Sequence, residues 1–308
     1  MILSLCPNPS IDTLARLEFL TPGQVNRLED LREYPGGKGV HVALALAELG
    51  EESRLFGNWA GDAGRWIQRE CESRGVAVTG ISLEGNNRKC YALRSSQAGH
   101  DNTELLEPGP AMGPGDWEDF KINFKKEAEE ASLICMSGSW PRQAPPDAYK
   151  QAIEIANSVN ARVMLDCSGD QLKAALRTSF FGLHLNEQEA MELCGSSRPE
   201  TVLEALNGRV QLLALTRGKD GLSLCYQGKT VHANVQIENI KSTVGSGDCL
   251  TAGIAHAVAR NLSLRQIAAY GVACGAANCL TEELGMLHRP LVEQLLPRVT
   301  FNPIVNET

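Results

Sequence analysis

The chain has 308 residues, a formal net charge of −8, 43% apolar residues and 5% aromatics. That acidity comes with no basic run and no interleaving of basic and aromatic residues. It excludes a nucleic-acid surface or an anionic membrane as partner, and leaves room for a small anion held by a local cationic pocket. Ten cysteines stand singly with no C-x-x-C pair, no basic n-region precedes the short apolar start, and no apolar run is long enough for a membrane span; a reduced, cytoplasmic, soluble protein without a zinc ribbon or dithiol centre is expected.

In chain order, ILSLC (2–6) is an apolar run closed by Pro7-Asn8-Pro9, which suits a buried first strand feeding a loop. Gly36-Gly37-Lys38-Gly39 opens VHVALALAEL, whose apolar and alanine positions favour a helix ended by Gly50. RLFGN (54–58) reads as a strand and 63–75 as an amphipathic helix ending at Gly75. Residues 13–34 and 76–107 have a different texture: VAVTGISL, KCYALRSS and NTELLEP alternate like antiparallel strands joined by polar turns. They are expected to meet as a small sheet, a lid over the edge of the main one.

After Pro114 the rhythm is helix, strand, helix, strand. ASLICMSG, ARVMLDCS and VQLLALTRG are β runs, and helices are expected at 116–130, 146–159, 187–194 and 199–207. Two alanine-rich helices and a short tail follow Gly247. Strands alternating with helices predict parallel βαβ units: one doubly wound α/β domain over 1–308, its mostly parallel sheet flanked by helices. Ligands of such sheets sit beyond the carboxyl ends of the strands. Asn8, Asp12, Ser137-Gly138-Ser139, Asp166, Asn186-Glu187 and Thr216-Arg217-Gly218 should gather there.

Two glycine-rich turns could carry chemistry. In Gly245-Ser246-Gly247-Asp248 small residues let backbone N–H groups turn toward an anion, and the following helix points its positive end there. A carboxylate at that lip could take a proton from an attacking hydroxyl. Taken alone, the same four residues also read as a turn starting a helix. Lys38 in Gly36-Gly37-Lys38-Gly39 is likewise either an anion ligand at a helix start or a solvated lysine. Neither turn is a Walker-type P-loop, and no G-x-G-x-x-G follows the first strand, against a dinucleotide-binding dehydrogenase.

STVGSGDCLTAGIA (242–255) fills every position of the second signature of the ribokinase/PfkB family of carbohydrate kinases, and NPSID, GGKG, AGDAGR, SGSWP, LNEQE and LTRGKDG follow that family's order and spacing. The chain therefore resembles this family along essentially its whole length. GxVNR (23–27), NRKCYAL, TELLEPGP and SGSWP look like its 1-phosphofructokinase and tagatose-6-phosphate kinase branch. The resemblance implies an ATP-dependent kinase of a phosphorylated ketohexose. Asp248 would be the base, and the N–H groups of Gly245, Ser246 and Gly247 would hold the phosphoryl group. Asp12, Gly36, Gly37, Lys38, His41 and Ser137 would line the sugar site, with Arg88 on the substrate phosphate and Arg27 and Arg142 as lesser candidates. Asn186, Thr216, Arg217, Gly218 and Asn278 would meet the nucleotide, and Glu189 would order Mg²⁺ through water. Lid edges left open would be covered by pairing two lids in a homodimer.

Two departures stand out. His41 occupies a position where the family's first signature has asparagine, and His184-Leu185-Asn186 replaces the branch's K-P-N, removing a lysine. Altered specificity, a kinase of an unphosphorylated sugar or nucleoside, and a weakly active sugar-phosphate sensor are the alternatives these changes leave open.

Overall fold

The computed structural model describes residues 1–95 and 103–302. The turn expected within 96–102 and the last residues of the tail lie outside them. The chain opens with β1 (Ile2–Cys6), β2 (Ser10–Leu17), β3 (Asp30–Gly36), α1 (Lys38–Glu48), β4 (Ser53–Ala60), α2 (Gly61–Ser73), β5 (Ala77–Leu83), β6 (Arg88–Ser95) and β7 (Thr103–Leu106). Alternation then sets in: α3 (Pro114–Glu129), β8 (Leu133–Ser137), α4 (Ala148–Ser158), β9 (Arg162–Asp166), α5 (Gly169–Ala175), β10 (Phe180–Asn186), α6 (Glu187–Cys194), α7 (Pro199–Leu206) and β11 (Val210–Thr216). The chain ends with β12 (Leu222–Tyr226), β13 (Lys229–Asn234), α8 (Ser246–Ala259), α9 (Leu264–Cys279), α10 (Arg289–Leu295) and β14 (Thr300–Asn302).

Ten strands form the main sheet in the order β14-β13-β12-β11-β10-β9-β8-β1-β4-β5. From β11 to β5 every pairing is parallel, and β12, β13 and β14 add an antiparallel edge. Both faces are covered, which is why β1, β8, β9 and β11 read as unbroken apolar runs. One core cluster joins strand residues such as Leu3, Phe56 and Leu165 to Trp117, Phe120, Tyr149 and Val202. The opposite cluster joins Ile2, Cys135 and Leu212 to Leu46, Ile254 and Val272. Helices α8 and α9 approach closely enough that a Cβ at Gly253 would lie 2.8 Å from Cys274 Sγ.

The second sheet has the order β3-β2-β6-β7. The two excursions do meet, through β2 and β6, but that central pairing is parallel, not antiparallel as the alternation suggests. A larger difference concerns β5. VAVTGISL was expected in the lid, yet it is the parallel edge strand of the main sheet, in register with β4. An edge strand covered on one face alternates like an antiparallel one. Ile81 and Leu83 point into the cluster that holds Trp117 and Phe120. Gly57 faces Gly80 in that ladder, and Gly80 has φ 140°, where a side chain would run into the Gly57 carbonyl.

Asn87 fastens the small sheet to the large one. Its buried amide accepts the Ala60 N–H at 2.8 Å and donates to the Asn58 carbonyl at 2.9 Å and the Pro9 carbonyl at 3.4 Å. It thereby joins the end of β4 to the entries of β2 and β6. Asn87→Ala leaves these buried groups unpaired and should lower unfolding free energy by about 2–3 kcal/mol in urea titration.

Candidate functional site

The strands converge where β1, β8, β9 and β10 end and α1 and α8 begin. Two cavities meet there. The larger, about 890 Å³, lies under the small sheet and is lined by Asn8, Asp12, Gly37, Lys38, His41, Arg88, Ser139 and Asp248, among others. The smaller, about 490 Å³, runs between the ends of β10 and β11 and helix α9, along Asn186, Glu189, Thr216, Gly218, Val235, Ile240 and Gly275. Lys38, Asp166, Asn186, Thr243, Gly245 and Asp248 line both, so they form the junction.

Glycines shape that junction. Gly37 caps α1 with φ 96°, and Gly245 caps α8 with φ 80°, both in the region that side chains avoid. A Cβ on Gly245 would also strike Gly285. At the start of α8 the first N–H groups have no intrahelical acceptor. Ser246 turns its N–H to the Thr243 carbonyl at 3.2 Å. The N–H groups of Gly245 and Gly247 have no backbone partner among the described residues, so the cradle at the helix's positive end is made by them rather than by all three. Asp248 follows as the third residue of the helix and is 5% exposed.

Three buried carboxylates surround this point, each held by a cation or an imidazole. Asp166, at the end of β9, lies 2.7 Å from Lys38 Nζ and 3.0 Å from His184 Nδ1. Burial pushes its carboxyl up, but Lys38 and His184 outweigh that and hold it well below the usual range. Lys38 is raised in turn, chiefly by Asp166. His184 continues the chain to the Thr216 hydroxyl, 3.1 Å from Nε2, and packs beneath the cradle, where a Cβ on Gly247 would lie 3.1 Å from its ring.

The other two carboxylates share one imidazole. His41 Nδ1 donates to Asp248 Oδ2 at 2.8 Å, and Nε2 stands 3.1 Å from Asp12 Oδ2, at ion-pair distance though poorly aligned for a hydrogen bond. Asp12 also accepts the Ser10 hydroxyl at 2.6 Å. Burial opposes charge on His41, but the bonds and charges of Asp12 and Asp248 prevail and push its pKa up to about 10. For Asp12 burial raises and the nearby His41 lowers, with a net fall; for Asp248 burial wins and the net shift is upward.

Not every residue singled out in the sequence arrives here. Gly36 presses on the Asp12 carboxyl and keeps that approach free of a side chain. Ser137 is fully buried beneath the wall made by Gly138 and Ser139. Arg27 is exposed in the β2–β3 connection and Arg142 in the loop after β8, and neither lines either of these two cavities. Arg217 bends away to donate to the Ser197 carbonyl at 2.7 Å. Asn278 is fully buried and spends its amide on the Met286 carbonyl at 2.9 Å, so it does not face a nucleotide; Gly275, Ala276 and Cys279 present α9 to that cavity instead. Glu189 lines the smaller cavity, but one of its oxygens caps α6 by accepting the Asn186 N–H at 2.9 Å. Asp166 was visible only as a polar residue closing an apolar strand, and its hold on Lys38 and His184 could not be read from spacing. No helix among the described residues is long and apolar enough to cross a membrane.

Two cavities meet at a glycine cradle on a ribokinase-like α/β fold, and the family and the relative that the chain matches define its class: an ATP-dependent carbohydrate kinase. The chain belongs to the pfkB family of carbohydrate kinases, whose model matches residues 7–286. It is 28% identical over 305 residues to a 1-phosphofructokinase of Bacillus subtilis strain 168, covering 97% of this chain and 98% of that one. Among solved structures it superposes on phosphofructokinase-2 of Escherichia coli in complex with fructose-6-phosphate with TM-score 0.86, at 22% identity over 96% of this chain and 98% of that one. It also superposes on Arabidopsis thaliana ribokinase complexed with ribose and ATP, with TM-score 0.75 and 19% identity over 96% and 98% of the two chains.

The site makes a stability prediction independent of substrate. His41 binds its proton more tightly folded than unfolded, so the stabilisation from that proton is complete below about 6.5 and is lost as pH rises toward about 10. The melting temperature of the native chain should therefore fall relative to His41→Asn across that window; parallel curves would contradict the linkage.

Proposed function

We propose that the protein transfers the γ-phosphoryl group of ATP to a hydroxyl of a phosphorylated ketohexose, of the fructose 1-phosphate or fructose/tagatose 6-phosphate type. The observation that carries this reading is Arg88. Its side chain lines the larger cavity at the entry of β6, oriented by a 3.3 Å hydrogen bond from Nε to the Asn8 carbonyl. A planar guanidinium so held suits a phosphate dianion. Similarity to a 1-phosphofructokinase supports the same acceptor class.

In this reading Asp12, Gly37 and Lys38 meet the sugar, and Asn186, Thr216 and Gly218 meet the nucleotide. The acceptor hydroxyl oxygen bonds to the γ-phosphorus as the bond from phosphorus to ADP breaks with its electron pair going to ADP; the hydroxyl proton passes to Asp248. The N–H groups of Gly245 and Gly247 and the start of α8 stabilise the charge on the phosphoryl oxygens. The raised pKa of Asp248 makes it a better proton acceptor than an exposed carboxylate. No cluster of three acidic, histidine or cysteine side chains able to hold a metal occurs among the described residues, while Glu189 offers a partly exposed carboxylate. That set fits a Mg²⁺ ion carried on nucleotide phosphates and water, where it would neutralise phosphate charge.

ADP release should be fast with a phosphorylated ketohexose and slow with the free sugar; a response confined to free sugars or nucleosides would overturn the acceptor class. Arg88→Ala should raise KM for the phosphorylated acceptor about 10- to 100-fold, with little change for unphosphorylated ones. Asp248→Asn should lower kcat about 10²- to 10⁴-fold. Turnover absent from the native chain but with sugar phosphate still bound would favour the sensor reading, which His41's hold on Asp248 keeps in view.

The proposal includes a homodimer through the small sheet and a cytoplasmic location. Leu31 on β3 and Leu105 on β7 are 48% and 53% exposed, and Val25 in the β2–β3 connection is 82% exposed. All ten cysteines are free thiols, in keeping with a reducing compartment. Light scattering should give about twice the 33.3 kDa chain mass, and Leu31→Glu with Leu105→Glu should return it to one.

A further inference from the structure

We propose that His41 is a positioning residue that acts as a doubly protonated imidazolium, tying the acceptor-binding carboxylate Asp12 to the base Asp248 rather than touching the sugar itself. The inference rests on the reading of Asp248 as base. Its foundation is geometric: each ring nitrogen has a carboxylate oxygen at 2.8 or 3.1 Å, and the residue is 3% exposed. A neutral imidazole carries one N–H and one lone pair, so one of these contacts would set a lone pair against a buried anion. With both nitrogens protonated, two buried carboxylates are answered by one cation.

The surroundings fix the ring in that role. Gly285 lies flat against it with φ 65°, and any Cβ there would overlap the imidazole. A Cβ on Gly245 would come within 3.3 Å of Nδ1, so the cradle glycine also makes room for the histidine. The charged groups facing the pair are Asp12 on β2, Asp248 on α8, Lys38 one turn earlier on α1, Arg88 on β6 and Asp166 on β9. The buried thiols of Cys6 and Cys249 are pushed up by burial and stay neutral, Cys6 to about 11. With both ring nitrogens committed to Asp12 and Asp248, the ring has no nitrogen left for a sugar hydroxyl.

Two consequences follow for catalysis. The cation offsets part of the burial that raises Asp248, so the base holds its proton less tightly than burial alone would dictate. It also fixes Asp248 Oδ2, leaving Oδ1 as the atom to receive the proton, and couples the orientation of the base to that of Asp12. An asparagine here could bridge by hydrogen bonds but could not supply the charge.

The test is ring-nitrogen NMR of the full chain labelled with ¹⁵N-histidine, with His41→Asn identifying the resonance among six histidines. Both His41 nitrogens should be protonated at pH 8, where an unperturbed histidine is neutral. A neutral tautomer at that pH overturns the proposal. If His41→Asn does not fold, Asp248→Asn provides the second reading: the His41 midpoint should move down by at least one unit, and an unmoved midpoint overturns the bridge. In kinetics the acid limb of kcat/KM should move to higher pH in His41→Asn, because the buried base has lost its cation; an unchanged limb with a lowered kcat marks a merely structural residue and also overturns it. The NMR result needs no acceptor, so failure of the bridge and failure of the sugar-phosphate reading give different outcomes.

Discussion

Three carboxylates, Asp12, Asp166 and Asp248, are buried in one cleft, and the structure around them is arranged so that they can stay ionised together. Isolated ionised groups at such depth would cost several kcal/mol each and would take up protons instead. Lys38 answers Asp166, and His41 answers Asp12 and Asp248. Both cations come from the first turn of α1, three residues apart and so on one helix face. That single turn holds together β2, β9 and α8, three elements far apart in the sequence. The glycines at 36, 245 and 285 belong to the same solution, since each stands where a side chain would collide with Asp12, His41 or the loop behind it.

The small sheet is built into this electrostatic arrangement. Asp12 is a residue of β2, and Arg88 begins β6 opposite Ser10 in the ladder. The far ends of the same strands rest on the segment before α8 and the segment after α9. Leu14 and Ala92 pack with Leu284 and Val244, Arg16 and Arg32 reach Glu282 at 3.3 Å, and Arg94 donates to the Lys241 carbonyl at 2.6 Å. The exposed ion pairs add little stability singly. Together with the apolar contact they set the sheet's position over the cleft, so its attitude and the shape of the α8 cradle are linked through residues 241–245 and 282–285. The two cavities therefore do not have independent geometries.

Much of this was legible in the sequence where one residue type had one physical reason to be there. Apolar runs ending in polar residues marked β1, β8, β9 and β11, because strands buried on both faces admit nothing else. Gly37 and Gly245 were visible because positive φ at a helix start favours glycine. Legibility failed where burial was one-sided or the partner was remote. The edge strand β5 carries the alternation of a strand with one wet face. The β12–β13 hairpin turns at Gln227 and Gly228, both at positive φ, and glutamine lacks the turn preference of asparagine, so only half of the usual signal is written there. Asn278 has the composition of a ligand-facing polar residue on a helix, but its amide is consumed by a loop eight residues on. Spacing along a helix tells which side a residue is on, not what the chain brings back to it.

His41 and His184 show the same limit from the other direction. As isolated letters they are departures from a signature, and each invites a reading of weakened chemistry. In the fold each one lies against a carboxylate already required by the site, His184 against Asp166 and His41 against Asp12 and Asp248. A lysine in place of His184 would bring a second ammonium to a carboxylate that Lys38 already meets at 2.7 Å, whereas an imidazole can meet Asp166 through one ring nitrogen and the Thr216 hydroxyl through the other. Position 41 differs, because two carboxylates share that point with no other cation bonded to either among the described residues. Three buried carboxylates in the cleft are thus met by Lys38, His41 and His184. Arg88 lines the same cavity with no ion-pair partner among the described residues.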